Sequence, residues 1–401
     1  MDFNPVLRFM AVSDIHYKNE PTVERERFAA AINIAQRISS EHPTYKNLDA
    51  LCIVGDFANS GTRPQMKAIK ATIDENLNPG TPYMMLLASH EFNGDGNGEQ
   101  YARDIFTDIF SRECDDHRII NGFHFIFVSC TQGCHFREYQ QNWVKEQLEI
   151  AAADDPHKPI FFFQHPHITD TVYGSIGWGE DELTAILMNY PQVIDFSGHS
   201  HAPVNDPRNV HQRHFTCFGT GTLSYFELDE FDKITGTVPP DANMAAQMLI
   251  VEADACGRVK VTPYDVLCDV PFPNEVVIEK PWDTDSFIYT DDRMKSTNRP
   301  YFPESAALNV NVEGGTAKFS FIQAKDDEEI YVDDYVLTVK NTEGVTVKRV
   351  CEFSKYYLTK MPEVFTMEAA ELAPGKYTAE VRANSFWRVK SAPITAAFEI
   401  K

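Results

Sequence analysis

The chain has 401 residues, with 36 Lys and Arg against 59 Asp and Glu, giving a formal charge of −23. With 43% hydrophobic and 24% charged residues it has the composition of a folded globular protein of two or three domains, which excludes a disordered chain or a small disulfide scaffold. The acidic excess argues against duplex nucleic acid, whose sequence-independent affinity comes from Lys and Arg on the phosphates, and the longest apolar runs, such as Pro159 to Phe163 and Met84 to Ala88, fall far below the roughly 20 residues of a membrane span.

In chain order, short apolar runs predict strands at Leu7 to Ser13, Ala50 to Gly55, Tyr83 to Ala88, Phe123 to Ser129, Ile160 to Gln164, Val193 to Ser197, Phe215 to Thr220, Met248 to Ala253 and Arg258 to Val266. Helix-period segments lie between them at Thr22 to Ser40, Arg63 to Leu77, Glu99 to Phe110, Glu138 to Ala153 and Glu180 to Asn189. The last of these opens on Gly179-Glu180-Asp181, acidic residues suited to the positive end of a helix dipole. This alternation is that of an α/β domain over residues 1–270. Residues 271–303 carry five prolines and little periodicity, as expected of a linker or strap. From 304 to 401 period-2 stretches dominate, among them Ile330 to Lys340 and Tyr377 to Arg382 after the turn Pro374-Gly375, so an antiparallel β-sandwich is expected.

Chemistry-bearing residues gather at the ends of the predicted strands: Asp14-Ile15-His16, Gly55-Asp56, Gln164-His165-Pro166-His167 and Gly198-His199-Ser200-His201, with a fifth cluster at Ser89-His90-Glu91. In an open α/β sheet the carboxyl ends of the strands converge on one crevice. In extended chain residues i and i+2 face the same side, so Asp14 with His16, and His199 with His201, are each expected to present two ligands to one point. A set of Asp and His without Cys suits divalent Mn, Fe, Zn or Co. The eight cysteines are scattered; only Cys130 and Cys134 are close, and reduced, mostly buried thiols are expected.

The order D-x-H, G-D, S-H-E, H and G-H-x-H resembles the calcineurin-like metallophosphoesterases over roughly residues 7–267. The segments Gly174-Ser175-Ile176-Gly177-Trp178-Gly179 and Phe196 to His201, followed by Asn205-Asp206-Pro207-Arg208, resemble a bacterial branch with cyclic-nucleotide phosphodiesterase-like members and C-terminal β-domains. The fold implied is a metallophosphoesterase-like β-sandwich core flanked by helices in four layers, α/β/β/α, followed by an all-β sandwich of the immunoglobulin or fibronectin type III kind. The resemblance implies two divalent metal ions, the first held by Asp14, His16 and His201, the second by His165 and His199, with Asp56 bridging both. It makes His90 the residue that contacts the substrate phosphate and protonates the leaving alkoxide. Ala88-Ser89 stands where the family usually has Gly-Asn, so Ser89 is a shorter and weaker oxygen ligand and the second ion is expected to bind less tightly. A water on Ser89 or a movement of Asn93 can fill the gap, and Glu91 is expected to orient His90. Asn59 either contacts phosphate or shapes its loop.

The activity expected is hydrolysis of a small phosphoester, a phosphodiester such as a cyclic nucleotide; the alternative is a binding protein on a weakened esterase fold, with the β-domain supplying partner contacts. Trp178 and Tyr173 either stack on a base or pack their loop. Arg208 either binds a phosphate oxygen or ties a loop by ion pairs. His211 and His214 are expected at the rim, and Gly94 to Gly98 as a flexible loop at the site. The start, Met1-Asp2-Phe3-Asn4-Pro5, lacks the features of a secretory signal, and a cytoplasmic location is expected.

Overall fold

The computed structural model describes residues 2–19, 22–94, 98–229, 236–244 and 246–401. The chain divides into two compact units, Met1–Thr290 and Asp291–Lys401. In the first unit the elements run β1 (Pro5–Val12), α1 (Val23–Glu41), β2 (Ala50–Ile53), α2 (Arg63–Asn76), β3 (Tyr83–Met85), α3 (Gly98–Phe110), β4 (Asp116–Ile120), β5 (Phe123–Phe127), α4 (Glu138–Asp154), β6 (Ile160–Phe163), β7 (His167–Ile168), α5 (Ser175–Trp178), β8 (Gly179–Glu180), α6 (Thr184–Leu187), β9 (Val193–Ser197), β10 (Val210–Gln212), β11 (Thr216–Gly219), β12 (Leu228–Asp229), β13 (Gly236–Thr237), β14 (Gln247–Asp254), β15 (Val259–Asp265), β16 (Val270–Pro271) and β17 (Val276–Ile278).

One sheet has the order β16-β15-β14-β1-β2-β3, with β17 also on β15; the other runs β10-β11-β9-β6-β5-β4. Strands β1, β2 and β3 are parallel, as are β5, β6, β9 and β11. Alternation along each strand separates two faces. Leu7, Phe9 and Ala11 of β1 meet Phe125, Phe127, Phe161, Phe163 and Phe196 between the sheets. The Phe9 ring stands edge-on to Phe125 and Phe161 at 5.1 and 4.9 Å, the packing that aromatic quadrupoles favour. The opposite face, with Met10, Val12 and Ile53, is covered by Phe28 and Ile32 of α1, Met66 and Ile69 of α2 and Phe106 of α3. The outer face of the second sheet, with Ile126, Phe162 and Val193, is covered by Val144 and Leu148 of α4. Four layers, α/β/β/α, result, as the resemblance implied. Helix α1 begins where expected because the Thr22 hydroxyl accepts the Arg25 amide N–H.

Three differences from the sequence reading have local causes. The helix expected over Glu180 to Asn189 is a single turn, Thr184–Leu187: Glu180 pairs as strand β8 with β7, and its carboxylate accepts the amides of Glu182 and Leu183. The acidic cluster therefore closes a turn and does not open a long helix. Strands β4 and β10 escape a search for apolar runs because they are short and rich in polar residues, DHRII and VHQ. The stretch expected as linker contributes β17, and β16 spans its first residue; both pair with β15.

In the second unit β18 (Asn309–Glu313), β19 (Thr316–Ile322) and β22 (Val364–Ala369) form one antiparallel sheet. Strands β20 (Asp334–Asn341), β21 (Thr346–Phe353), β23 (Gly375–Asn384) and β24 (Ile394–Ile400) form the other. Their inward residues, including Phe319, Phe321, Tyr335, Leu337, Phe365, Met367 and Val381, make one core. The period-2 pattern read at Tyr335, Leu337 and Val339 is the buried face of β20.

Candidate metal centre

The candidate residues follow the carboxyl ends of parallel strands: Asp14 and His16 after β1, Asp56 after β2, Ser89 and His90 after β3, His165 after β6, and His199 and His201 after β9. The backbone there is not extended. Asp14, His16, Asp56, His199 and His201 all have positive φ, between 46° and 74°, a conformation that costs a non-glycine residue about 1–2 kcal/mol. These turns overturn the expectation that His199 and His201 share one focus. Ligand atoms of Asp14, His16 and His201 lie within 4.8 Å of one another, and so do those of Asp56, His165 and His199, so the two histidines serve different groups. Asp14 and His16 do share one. A further grouping joins His16, Asp56 and His90.

Asp14 Oδ1 lies 3.2 Å from His201 Nε2 and 3.8 Å from both His16 Nε2 and His165 Nε2. His165 Nε2 is 3.1 Å from Asp56 Oδ2, and the Nε2 atoms of His16 and His201 face each other at 3.0 Å. Backbone carbonyls fix the tautomers, since a carbonyl can only accept: Nδ1–H of His165 donates to Val54 O, that of His201 to Tyr225 O and that of His90 to Asn59 O. In neutral rings the Nε2 lone pairs of His165 and His201 then point at the carboxylates, an arrangement that suits a cation between them.

The carboxylates and imidazoles act strongly on one another's charge. Asp14 and Asp56 are buried, and their ion pairs among the described residues are with histidines alone. Burial works against their charge, yet His201 and His165 hold Asp14, and His165 holds Asp56, well below the usual carboxylate range. Burial works against protonation of His165 and His201 as well, but Asp56 and Asp14 pull the first upward and Asp14 the second. Asp14 Oδ1 and His165 Nε2 are buried without a hydrogen-bond partner, a costly state unless something else fills it. Two carboxylates and four imidazoles grouped in this way fit divalent cations of the Mn, Fe or Zn type.

Surrounding groups hold the carboxylates in place. Asp14 Oδ2 accepts the Ser13 hydroxyl and the His199 amide; Asp56 Oδ1 accepts the His90 amide at 2.9 Å. Glu91, fully buried, accepts the amides of Asp56, Ala58 and Ala88 at 3.1, 2.8 and 2.9 Å. Glu91 therefore braces the Asp56 loop and does not orient the His90 ring as expected; burial and the nearby Asp56 push its carboxyl well up. Gly55, at φ +83°, leaves room for the centre: a Cβ there would meet Ala88 Cβ at 2.6 Å and His165 Nδ1 at 2.7 Å.

A family profile described as calcineurin-like phosphoesterase matches residues 7–203. The chain carries a calcineurin-like phosphoesterase domain. Among solved structures, the purple acid phosphatase from yellow lupin (Lupinus luteus) seeds is similar at 11% identity and a TM-score of 0.47, over 69% of this chain and 54% of that one. The present chain thus spans about half the length of that structure. The PKD domain of an M14-like peptidase from a Thermoplasmatales archaeon is similar over 25% of this chain and 94% of its own, at 15% identity and a TM-score of 0.17. No curated protein matches the sequence.

Other residues singled out in the sequence fall variously around this centre. Ser89 Oγ lies 3.5 and 3.4 Å from the two Asp56 carboxylate oxygens. Asn93 is exposed, with Gln132 Nε2 at 3.5 Å from its Oδ1. Asn59 shapes its loop: its carbonyl accepts the His90 Nδ1–H and its side-chain amide donates to Ser60 Oγ. Arg208 is held by Asp206 through two nitrogens and lies 3.9 Å over the buried Tyr173 ring, so both serve the loop. His211 is buried in β10 and His214 is exposed. His167 is buried between the Ser197 and Ser200 hydroxyls, and burial pushes its pKa down to about 3, making it a neutral brace for the His199 turn. All eight cysteines are free thiols; Cys52, Cys130 and Cys217 are buried, whereas Cys256 is exposed. Of the glycine-rich loop, 95–97 lie outside the described residues. Tyr225, which no motif marks, places its ring 4.5 Å from His201.

Proposed function

We propose that the protein hydrolyses phosphodiesters, with cyclic nucleotides as the favoured class, using two divalent cations of Mn, Fe or Zn. Asp14, His16 and His201 would hold one cation and His165 and His199 the other, with Asp56, grouped with His16 as well as with His165, shared between the two; Ser89 would add a weak oxygen on the second side. When bound, such ions lower the pKa of water and neutralise phosphate oxygens. The observation carrying this reading is the cluster of Asp14, Asp56 and four imidazoles, in which the buried Asp14 Oδ1 and His165 Nε2 lack a hydrogen-bond partner. His90, half-buried beside His16 with ring centroids 4.5 Å apart, has Nδ1–H anchored on Asn59 O. Its Nε2 is left to meet the phosphate and, in the imidazolium form, would pass its proton to the departing alkoxide while Nδ1–H stays on Asn59 O. Glu91 keeps Asp56 in register, and Val54 and Tyr225 carbonyls keep His165 and His201 aimed.

The test is release of nitrophenol from bis-nitrophenyl phosphate with Mn²⁺ supplied, lost on chelation and compared with monoesters and cyclic nucleotides. Chelator-insensitive or absent turnover in metal-loaded protein would favour the second reading, a binding protein on a weakened esterase fold, which Ser89 in place of an amide ligand supports. Residues 1–270 are proposed as the catalytic domain, 271–303 as the connecting strap and 304–401 as an immunoglobulin or fibronectin type III-like domain that binds a partner or glycan. Free thiols at all eight cysteines favour a reducing compartment such as the cytoplasm.

A further inference from the structure

Two aromatic rings border the metal centre without belonging to any of the hydrophobic core clusters among the described residues. Trp178 is half-buried, its ring centroid 5.0 Å from that of His199 at an interplanar angle of 77°. Tyr225 is half-buried, 4.5 Å from His201 and 5.9 Å from His16. One ring therefore adjoins the second ligand group and the other the first.

Trp178 is held in place from both sides by close backbone approaches. Its turn, α5, is capped by Gly174 at φ +86°, where a Cβ would meet Ser200 Cβ at 2.5 Å, and ends at Gly179, where a Cβ would meet Ser175 O at 2.2 Å. The Ser200 hydroxyl ties this loop to the His199 turn through Tyr173 O at 3.3 Å. Its neighbours Ile176 and Gly177 are exposed, and the indole itself is half-buried. Arg208, a candidate for a second phosphate oxygen, is bound to Asp206 and stacked on Tyr173. A fixed, half-exposed indole beside a phosphate-binding centre, with Arg208 committed elsewhere, suits a planar uncharged group attached to a single phosphate.

We propose that Trp178 is a specificity-determining residue that stacks the heterocycle of a nucleoside phosphoester, with Tyr225 bounding the opposite flank. This rests on the two-cation phosphoesterase reading above. Base–aromatic stacking of its usual strength corresponds to about 5- to 150-fold in affinity.

The experiment uses full-length, Mn²⁺-loaded protein and calorimetric binding of adenosine 5′-monophosphate, ribose 5-phosphate and inorganic phosphate. The nucleotide should bind about 5- to 150-fold more tightly than ribose 5-phosphate. Trp178→Ala should erase that advantage while leaving ribose 5-phosphate affinity and metal content unchanged, and Trp178→Phe should keep most of it. Equal affinities for nucleotide and sugar phosphate, or an advantage that survives Trp178→Ala, would overturn the role of Trp178 and leave the phosphoesterase reading standing. Failure of all three phosphates to bind metal-loaded protein would overturn both. Loss of ribose 5-phosphate binding in Trp178→Ala together with Trp178→Phe would mean that the indole only supports the His199 turn, and would overturn the proposal.

Discussion

The two halves of the candidate centre are built differently. Around Asp14 the side chains are buried: His16 and His201 face the carboxylate, Ser13 donates to its other oxygen, which also accepts the His199 amide, and Thr222 hydrogen-bonds the Asp14 carbonyl. Around His165 the enclosure is looser, since His199 and Ser89 are half-exposed and the oxygen expected of an amide is a hydroxyl 3.4 Å from Asp56. A difference in ligand supply within one crevice converts into a difference in affinity, so the two cations should be separable in titration.

The strongest way to break the comparison is to remove the group common to both halves. Asp56→Asn should abolish turnover and bring metal content below one ion per chain by elemental analysis; two retained ions would show that the halves do not share Asp56. Next comes His90→Ala, which should lower kcat by about 10²–10⁴ at unchanged metal stoichiometry. Loss of an ion in this variant would assign His90 as a ligand, through its grouping with His16 and Asp56. Ser89→Asn addresses the asymmetry itself: the weaker of two binding steps should tighten by about 1–2 kcal/mol, with activity following that step. Similar affinities in the parent protein, and no gain in the variant, would refute it.

The smallest effect on activity is expected from a buried acid on the His165 side. Asp195 accepts Gln164 Nε2 at 3.2 Å, one residue before His165, and burial pushes its pKa up to about 8 from 3.8. The folded state then holds a proton that the unfolded state has lost between about pH 4 and 8. Its stabilising contribution is full below pH 4 and is lost as pH rises through 8, an effect of a few kcal/mol at most. Thermal melts should show the parent protein losing stability relative to Asp195→Asn from pH 5 to 8, with turnover little changed. Parallel curves would mean that Asp195 is ionised throughout.

Much of this was legible because strand ends and metal ligands leave strong local marks: β1 and β2 appear as apolar runs, and each is followed at once by the Asp or His it delivers. Period-2 alternation likewise gave β20 and β23. What escaped depends on tertiary partners. Whether His199 and His201 share a focus is decided by two left-handed residues, and nothing in the histidine spacing encodes φ. Glu91 could not be assigned because its partners, the amides of Asp56, Ala58 and Ala88, belong largely to another loop. Tyr225 lies in a segment without periodicity, and Glu180 looked like a helix opener until β7 supplied a strand partner.

The left-handed backbone at Asp14, His16, Asp56, His199 and His201 has a further consequence. At about 1–2 kcal/mol each, five such residues withhold roughly 5–10 kcal/mol, comparable with the whole stability margin of an ordinary domain. Glycine would adopt these angles without that cost. His199→Gly, at the half-exposed member of the set, should therefore melt no lower than the parent protein when both are ion-free, and fall behind only once metal is added. Folding alone would have chosen glycine or asparagine at these five places; a chain that keeps Asp and His there is accepting fragility in return for chemistry.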